Sequence, residues 1–220
     1  MKKTRYFFAA LVLVAGSMTF TSCVRNEYYT PEPDYPNNNN NDIYSFTEEF
    51  SNDNRGWAFS SSADSSYASV SGGVLEFINY SVLGSNTQVV QTNMNTNNNF
   101  VIETRIKSDN DMGVIFGNSG NQYEYGYSFI INNGGYFIVY KEGNANTNVE
   151  VIKDWTANSA ININSTWNKV VIEQTNGYWT FLINGYEVYQ MPARPLNGTY
   201  CGFILLPQTE GYADYLTVEW

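Results

Sequence analysis

Among the side chains able to do chemistry, this chain has no histidine at all. That absence removes Ser-His-Asp and Cys-His nucleophile systems and every imidazole metal site. Carboxylates remain. Two of them can hydrolyse a glycosidic bond if they stand about 5–5.5 Å apart for retention or about 6.5–9.5 Å for inversion. Neither the adjacent Glu48-Glu49 nor Glu150 and Asp154, four apart, sets two acids on one face of a strand. Glu103, Glu124 and Glu173 would have to be brought together from separate strands. A hard cation with oxygen ligands suits the composition, so calcium is the cofactor the chain allows. Ser51-Asn52-Asp53-Asn54 and Asp109-Asn110-Asp111 are the oxygen-rich clusters, with Asp53 a candidate ligand, although Asx residues of this kind also cap turns.

Strands must position these groups. Phe100, Ile102, Thr104 and Ile106 alternate with Val101, Glu103, Arg105 and Lys107, which predicts a strand with one dry and one wet face. Val170 and Ile172 repeat the pattern after Trp167. Within residues 179–189, Asn184-Gly185 suits a type I′ turn, whose two central residues need positive φ. That turn sets Ile183 against Tyr186, Leu182 against Glu187, Phe181 against Val188 and Thr180 against Tyr189. Residues 123–140, YEYGYSFIINNGGYFIVY, read as another hairpin. A four-residue turn at 132–135 opposes Ile131 to Tyr136, Phe129 to Ile138 and Tyr127 to Tyr140.

That register puts Tyr125, Tyr127, Phe129, Ile131 and Ile138 on one face. Burying Phe129, Ile131 and Ile138 contributes roughly 1.5–3 kcal/mol each, so the tyrosine stripe is expected to be core. Ile130, Phe137 and Val139 then share the other face with Ser128. Short strands at regular spacing, without helical periodicity, predict an all-β fold, a two-sheet antiparallel jelly-roll sandwich.

At the amino terminus Lys2, Lys3 and Arg5 precede an apolar run from Tyr6 to Val14, too short to span a bilayer and suited to a signal peptide. Phe20-Thr21-Ser22-Cys23 resembles the lipobox of bacterial lipoproteins, which implies cleavage before Cys23 and a diacylglycerol on its thiol. Residues 1–22 are therefore read as a lipoprotein signal peptide. Residues 23–42, with three prolines and an asparagine run, form a flexible tether, and 43–220 the β-sandwich domain. The expected location is the Gram-negative cell envelope, as an outer-membrane lipoprotein held through its lipid anchor, with the leaflet left open. Cys201 has no disulfide partner once Cys23 is acylated. The whole chain carries 11 basic and 21 acidic residues, a net charge of −10. Such a surface repels phosphate backbones, so nucleic acid is excluded as a partner.

WNKVVIEQTNGYWTFLINGYEVY (167–189), preceded by Trp155 and Ile161 and followed by GYADYLTVEW (211–220), resembles the concanavalin A-like lectin/glucanase superfamily. The likeness is to its laminin-G-like and keto-disaccharide-hydrolase-like bacterial modules. It rests on a Trp-Asn opening a strand, the Asn-Gly hairpin, and Asp214-Tyr215 on the last strand, with GGVLEF, FVIETRI and GVIFGN in the expected order. The resemblance implies a sandwich with a curved concave face and a carbohydrate ligand. It also implies that Asp214 orients a turn or ligates calcium.

The laminarinase-type members carry an acid, a gap of one, an acid, a gap of two and a third acid, a spacing that occurs nowhere here. Binding without catalysis is therefore the leading expectation, with Trp57, Glu103, Arg105, Glu124, Trp155 and Tyr189 as candidate contacts to a neutral sugar. Two alternatives stay open. One is a glycoside hydrolase or keto-disaccharide-hydrolase-like enzyme using Glu103, Glu124 and Glu173. The other is a structural or adhesive surface protein that contacts another envelope component through Ile130, Phe137 and Val139, with any protein partner left open.

Overall fold

The computed structural model describes residues 43–62, 65–120, 126–143 and 148–220, and among these every regular element is a strand. In chain order they are β1 (Ser45–Glu48), β2 (Phe59–Ser61), β3 (Ser66–Ser71), β4 (Val74–Asn79) and β5 (Asn86–Gln91). Then come β6 (Phe100–Ser108), β7 (Asp111–Asn118), β8 (Tyr127–Asn132), β9 (Tyr136–Lys141) and β10 (Glu150–Ala157). The last are β11 (Asn168–Thr175), β12 (Tyr178–Ile183), β13 (Tyr186–Pro192), β14 (Tyr200–Leu205) and β15 (Thr209–Glu219). Two antiparallel sheets result, as expected for a jelly-roll sandwich. The nine-stranded sheet runs β13-β12-β11-β6-β15-β4-β3-β2 with β1 also on β15, and the six-stranded sheet runs β10-β9-β8-β7-β14-β5.

Alternation in the sequence decides which side of each strand is sealed. On β6, Phe100, Ile102, Thr104 and Ile106 are buried while Val101, Glu103, Arg105 and Lys107 are partly exposed. Aromatic rings join the sheets: Trp179 of β12 lies 4.6 Å from Tyr127 and 5.2 Å from Phe116, and Phe181 lies 5.0 Å from Phe129, all edge to face. Such pairs add about 0.5–1.5 kcal/mol beyond the area they bury.

The Asn184-Gly185 turn has both residues at positive φ, 52° and 84°. Ile183 pairs with Tyr186 and Leu182 with Glu187, as the turn chemistry predicts. Beyond that point a bulge shifts the register, so Phe181 pairs with Tyr189 and Thr180 with Gln190 rather than with Val188 and Tyr189.

The tyrosine hairpin needs a larger correction. Ile131 pairs with Phe137, Phe129 with Val139 and Ser128 with Tyr140, so five residues, not four, lie between the last pair. Asn132 is the cause: its carbonyl accepts from Gly135 N–H at 3.1 Å, and its side-chain Oδ1 takes the N–H groups of Gly134 and Tyr136 at 3.0 and 2.9 Å. A one-residue slip turns every side chain of β9 over. Phe137 and Val139 therefore join Tyr127, Phe129 and Ile131 inside, and Ile138 moves to the opposite face. Tyr127 is core as expected; Tyr125 lies outside the described residues.

The face of the six-stranded sheet turned away from this core carries Ile115, Ile130, Ile138, Tyr140 and Ile204, each at most 8% exposed. It replaces the expected contact face of Ile130, Phe137 and Val139. Gly113 and Gly202 lie on the same side, where an added Cβ would sit 2.1 Å from the Phe129 carbonyl oxygen and 2.0 Å from that of Gln88. No other residue fits there without moving the neighbouring strand.

Candidate functional site

β15 is the longest strand and changes partner along its length. Thr209 to Ala213 pair with β4, whereas Leu216 to Glu219 pair with β1. At the changeover the register to β6 jumps, from Ala213 opposite Ile106 to Tyr215 opposite Arg105, which leaves Asp214 as an extra residue. Ala213 and Leu216 both point into the core, so Asp214 and Tyr215 emerge side by side on the outer face.

Two charged groups are built on this bulge. Arg105 Nη1 donates to Asp214 Oδ2 at 2.9 Å. Tyr215 O–H donates to Glu103 Oε1 at 2.7 Å, and Lys169 Nζ bridges to Glu103 Oε2 at 2.7 Å. Burial, then the bond to Glu103, pushes the Tyr215 phenol above its ordinary value, so it stays a neutral donor. Trp167 lies under two cations, with the Arg105 guanidinium and Lys107 Nζ each 5.0 Å from its ring centroid. On the neighbouring strand Glu173 is pushed up by burial and then by the charge of Glu103, against the pull of Lys169.

Beside the bulge, where β4 has left β15 and β1 has joined it, the sheet has an open recess of about 330 Å³. Thr47, Glu49, Gly73, Asp214, Tyr215 and Thr217 line it. A volume near 300 Å³ is at the lower end of small-ligand sites. Its β1 wall is held from behind by Glu48, a buried carboxylate that accepts from Phe50 N–H at 2.8 Å and from the Trp57 indole N–H at 3.0 Å.

Among the residues expected from sequence, Glu103, Arg105 and Asp214 thus meet at one place. The others do not. Trp57 is fully sealed in the core against Phe50 and Phe203 and offers no stacking surface, a correction that follows from the Glu48 bond drawing its indole inward. Trp155 is 37% exposed on β10, an edge strand of the other sheet. Tyr189 stacks on Phe181 at 5.9 Å with Lys153 over its ring. Glu124 and Cys23 lie outside the described residues. Asp53 Oδ1 caps its own loop, accepting from Trp57 N–H at 2.7 Å and Ala58 N–H at 3.1 Å, and Asp214 is engaged by Arg105. Among the described residues, no three acidic or thiol side chains stand together as metal ligands.

Trp167, Lys169, Thr47, Glu49 and Thr217 were not expected. The bulge has a trace in the sequence: Gly211, Ala213, Leu216 and Val218 keep period two except for one added residue, which is Asp214 or its neighbour.

No family model matches the sequence, and no curated protein does. Among solved structures, the catalytic domain of a laminarinase from Thermotoga petrophila superposes with a TM-score of 0.52, covering 80% of this chain and 96% of that one at 10% identity. LamAcat from Zobellia galactanivorans gives 0.49 over 80% and 96% at 14% identity, and a carbohydrate-binding module from Bacillus subtilis gives 0.43 over 66% and 82% at 11%. The domain has a concanavalin A-like fold. At these identities the likeness concerns the fold, and the concanavalin A-like sandwich hosts the bulge and recess as features of this sequence.

Proposed function

We propose that the concanavalin A-like domain binds a carbohydrate at the β15 recess, presented on a lipid-anchored protein of the cell envelope. The observation that carries this reading is the lining of the recess, which consists of hydroxyls from Thr47, Tyr215 and Thr217, the carboxylates of Glu49 and Asp214, and no aliphatic side chain. Sugar hydroxyls both donate and accept, and such groups answer them. The laminarinase of the same fold is named for acting on a β-1,3-glucan, which makes polysaccharides the first ligands to test.

The test is a glycan array probed with the full protein, with Asp214→Ala and Thr217→Trp as variants. Binding lost in both at an unchanged melting temperature supports the reading; binding that survives a tryptophan in the recess overturns it. Anchoring is tested by Cys23→Ser, which should move the protein from the membrane to the soluble fraction.

A hydrolase reading draws on one contrast. Burial and the neighbouring Glu103 carboxylate push Glu173 toward its neutral form, while Glu103 itself takes Lys169 Nζ and the Tyr215 O–H, so two carboxylates on adjacent strands stand in different environments, as acid and base roles require. Turnover of a bound glycan, lost in Glu173→Gln with binding retained, would favour it.

A further inference from the structure

Taking the recess as the carbohydrate site, we infer that it receives the protonated amine of an amino sugar, so that the ligand class is a glycan with free ammonium groups. The argument is a balance of donors and acceptors. Among the described residues the cations around the recess are already engaged: Arg105 with Asp214, Lys169 with Glu103, and Arg55 with Glu48 at 3.1 Å. Tyr215 spends its O–H on Glu103, and Thr217 Oγ1 donates to the Glu103 carbonyl at 3.4 Å. What is left facing the recess is acceptor-rich. Among the described residues, the exposed Glu49 carboxylate makes no ion pair or hydrogen bond, and Arg105 takes Oδ2 of Asp214 rather than Oδ1.

A ligand that complements this lining brings donors and positive charge. An ammonium has three donors and no acceptor, and charge-assisted bonds to carboxylates are about twice as strong as neutral ones. An N-acetylated sugar offers a single N–H and an added carbonyl, for which the lining holds only the neutral hydroxyl of Thr47 as a donor. A uronic acid brings a third carboxylate up to Glu49 and Asp214 in a chain of net charge −10. The surface charge raises the local concentration of any cationic ligand, but only the recess can tell one amine position from another.

The test is calorimetric titration of the full-length protein with short glucosamine oligomers, their N-acetylated counterparts and galacturonic acid oligomers, at a pH where the amine is protonated. The expected order is glucosamine tightest, by about tenfold over the acetylated oligomer, with the uronate weakest. Glu49→Gln should reduce that preference to less than about threefold and leave the acetylated oligomer unchanged. Glu187→Gln, which removes the same charge from an exposed position on β13, should leave the preference intact. Equal loss in both variants would mean bulk charge attraction and overturn the inference. Acetylated oligomers binding as tightly as free amines, with binding lost in Thr217→Trp, would overturn the amine inference and leave the carbohydrate reading standing. No binding by any of the three oligomers in a wild type that binds another glycan on the array would overturn the amine inference alone, and no binding to any glycan would refute both.

Discussion

Glu48→Ala is the sharpest perturbation of the scaffold behind the recess. The Glu48 carboxylate is 7% exposed and holds three donors: Phe50 N–H at 2.8 Å, Trp57 Nε1–H at 3.0 Å and Arg55 Nε at 3.1 Å. Phe50 and Trp57 are themselves fully buried, so neither N–H can turn to water when the acceptor is removed. Each stranded donor costs about 1–3 kcal/mol, and the pair about 3 kcal/mol taken near the lower part of that range. Arg55, 43% exposed at its side chain, regains water and contributes about 0–1 kcal/mol. For a domain of this size a loss of about 3 kcal/mol lowers the melting temperature by about 6–12 °C. Urea unfolding of the wild type, Glu48→Ala, Glu48→Gln and Arg55→Ala should give an unchanged m and falling midpoints. Glu48→Gln should lose about half as much, since one amide oxygen serves one donor. An alanine variant within about 0.5 kcal/mol of wild type, or an Arg55→Ala loss larger than that of Glu48→Ala, would refute the reasoning.

Burial raises the Glu142 carboxyl above its ordinary 4.5, against the opposing hydrogen bonds of Ser128 and Tyr140. The folded state thus binds this proton more tightly than the unfolded chain does, so the contribution is fully present below about pH 4.5 and is lost as pH rises through the raised value. Glu142→Gln should flatten the stability decline over that window in urea titrations at successive pH values; parallel curves would refute it. Gly113→Ala drives a methyl to 2.1 Å from the Phe129 carbonyl oxygen, and should cost about 3 kcal/mol or more by thermal unfolding, whereas a wild-type melting temperature would show that β8 yields. Cys201 is fully buried and its thiol is pushed up to about 12, so it should resist thiol reagents until the fold opens. Envelope-purified protein acylated on Cys23 should then titrate no thiol when native and one when unfolded; one reactive thiol in the native protein would count against the lipid anchor.

The strand pattern was legible because burial is periodic: β6 reads as alternating inner and outer residues, and Asn184-Gly185 can close only a tight turn. What escaped the sequence were single-residue shifts whose causes are local. Asn132 takes the N–H of Tyr136 with its side chain and lengthens a turn by one residue, which reverses the faces of Phe137, Ile138 and Val139. Trp57 reads as a sugar platform by residue type alone, and only its bond to Glu48, nine positions earlier, shows why it turns inward. Glu103, Arg105 and Asp214 were identifiable as polar groups on strands, but their meeting depends on the β6 to β15 register, which no local signal states.

The same kind of shift that defeats a register expectation makes the candidate site. In an unbroken β15, one of Asp214 and Tyr215 would face the core, where a carboxylate has no partner and a phenol would displace packed aliphatics. One added residue lets both emerge together, so that Asp214 meets Arg105 while Tyr215 reaches Glu103. It falls where β15 exchanges β4 for β1, and that exchange opens the recess. Deleting Asp214 should therefore do more than remove a charge. It should restore period two from Gly211 onward by moving one end of β15 past its neighbours, and so break its register with either β4 or β1, whereas Asp214→Asn should keep the bulge and lose only the ion pair. A deletion variant as stable as Asp214→Asn would show that the bulge is not what sets the two pairings of this strand.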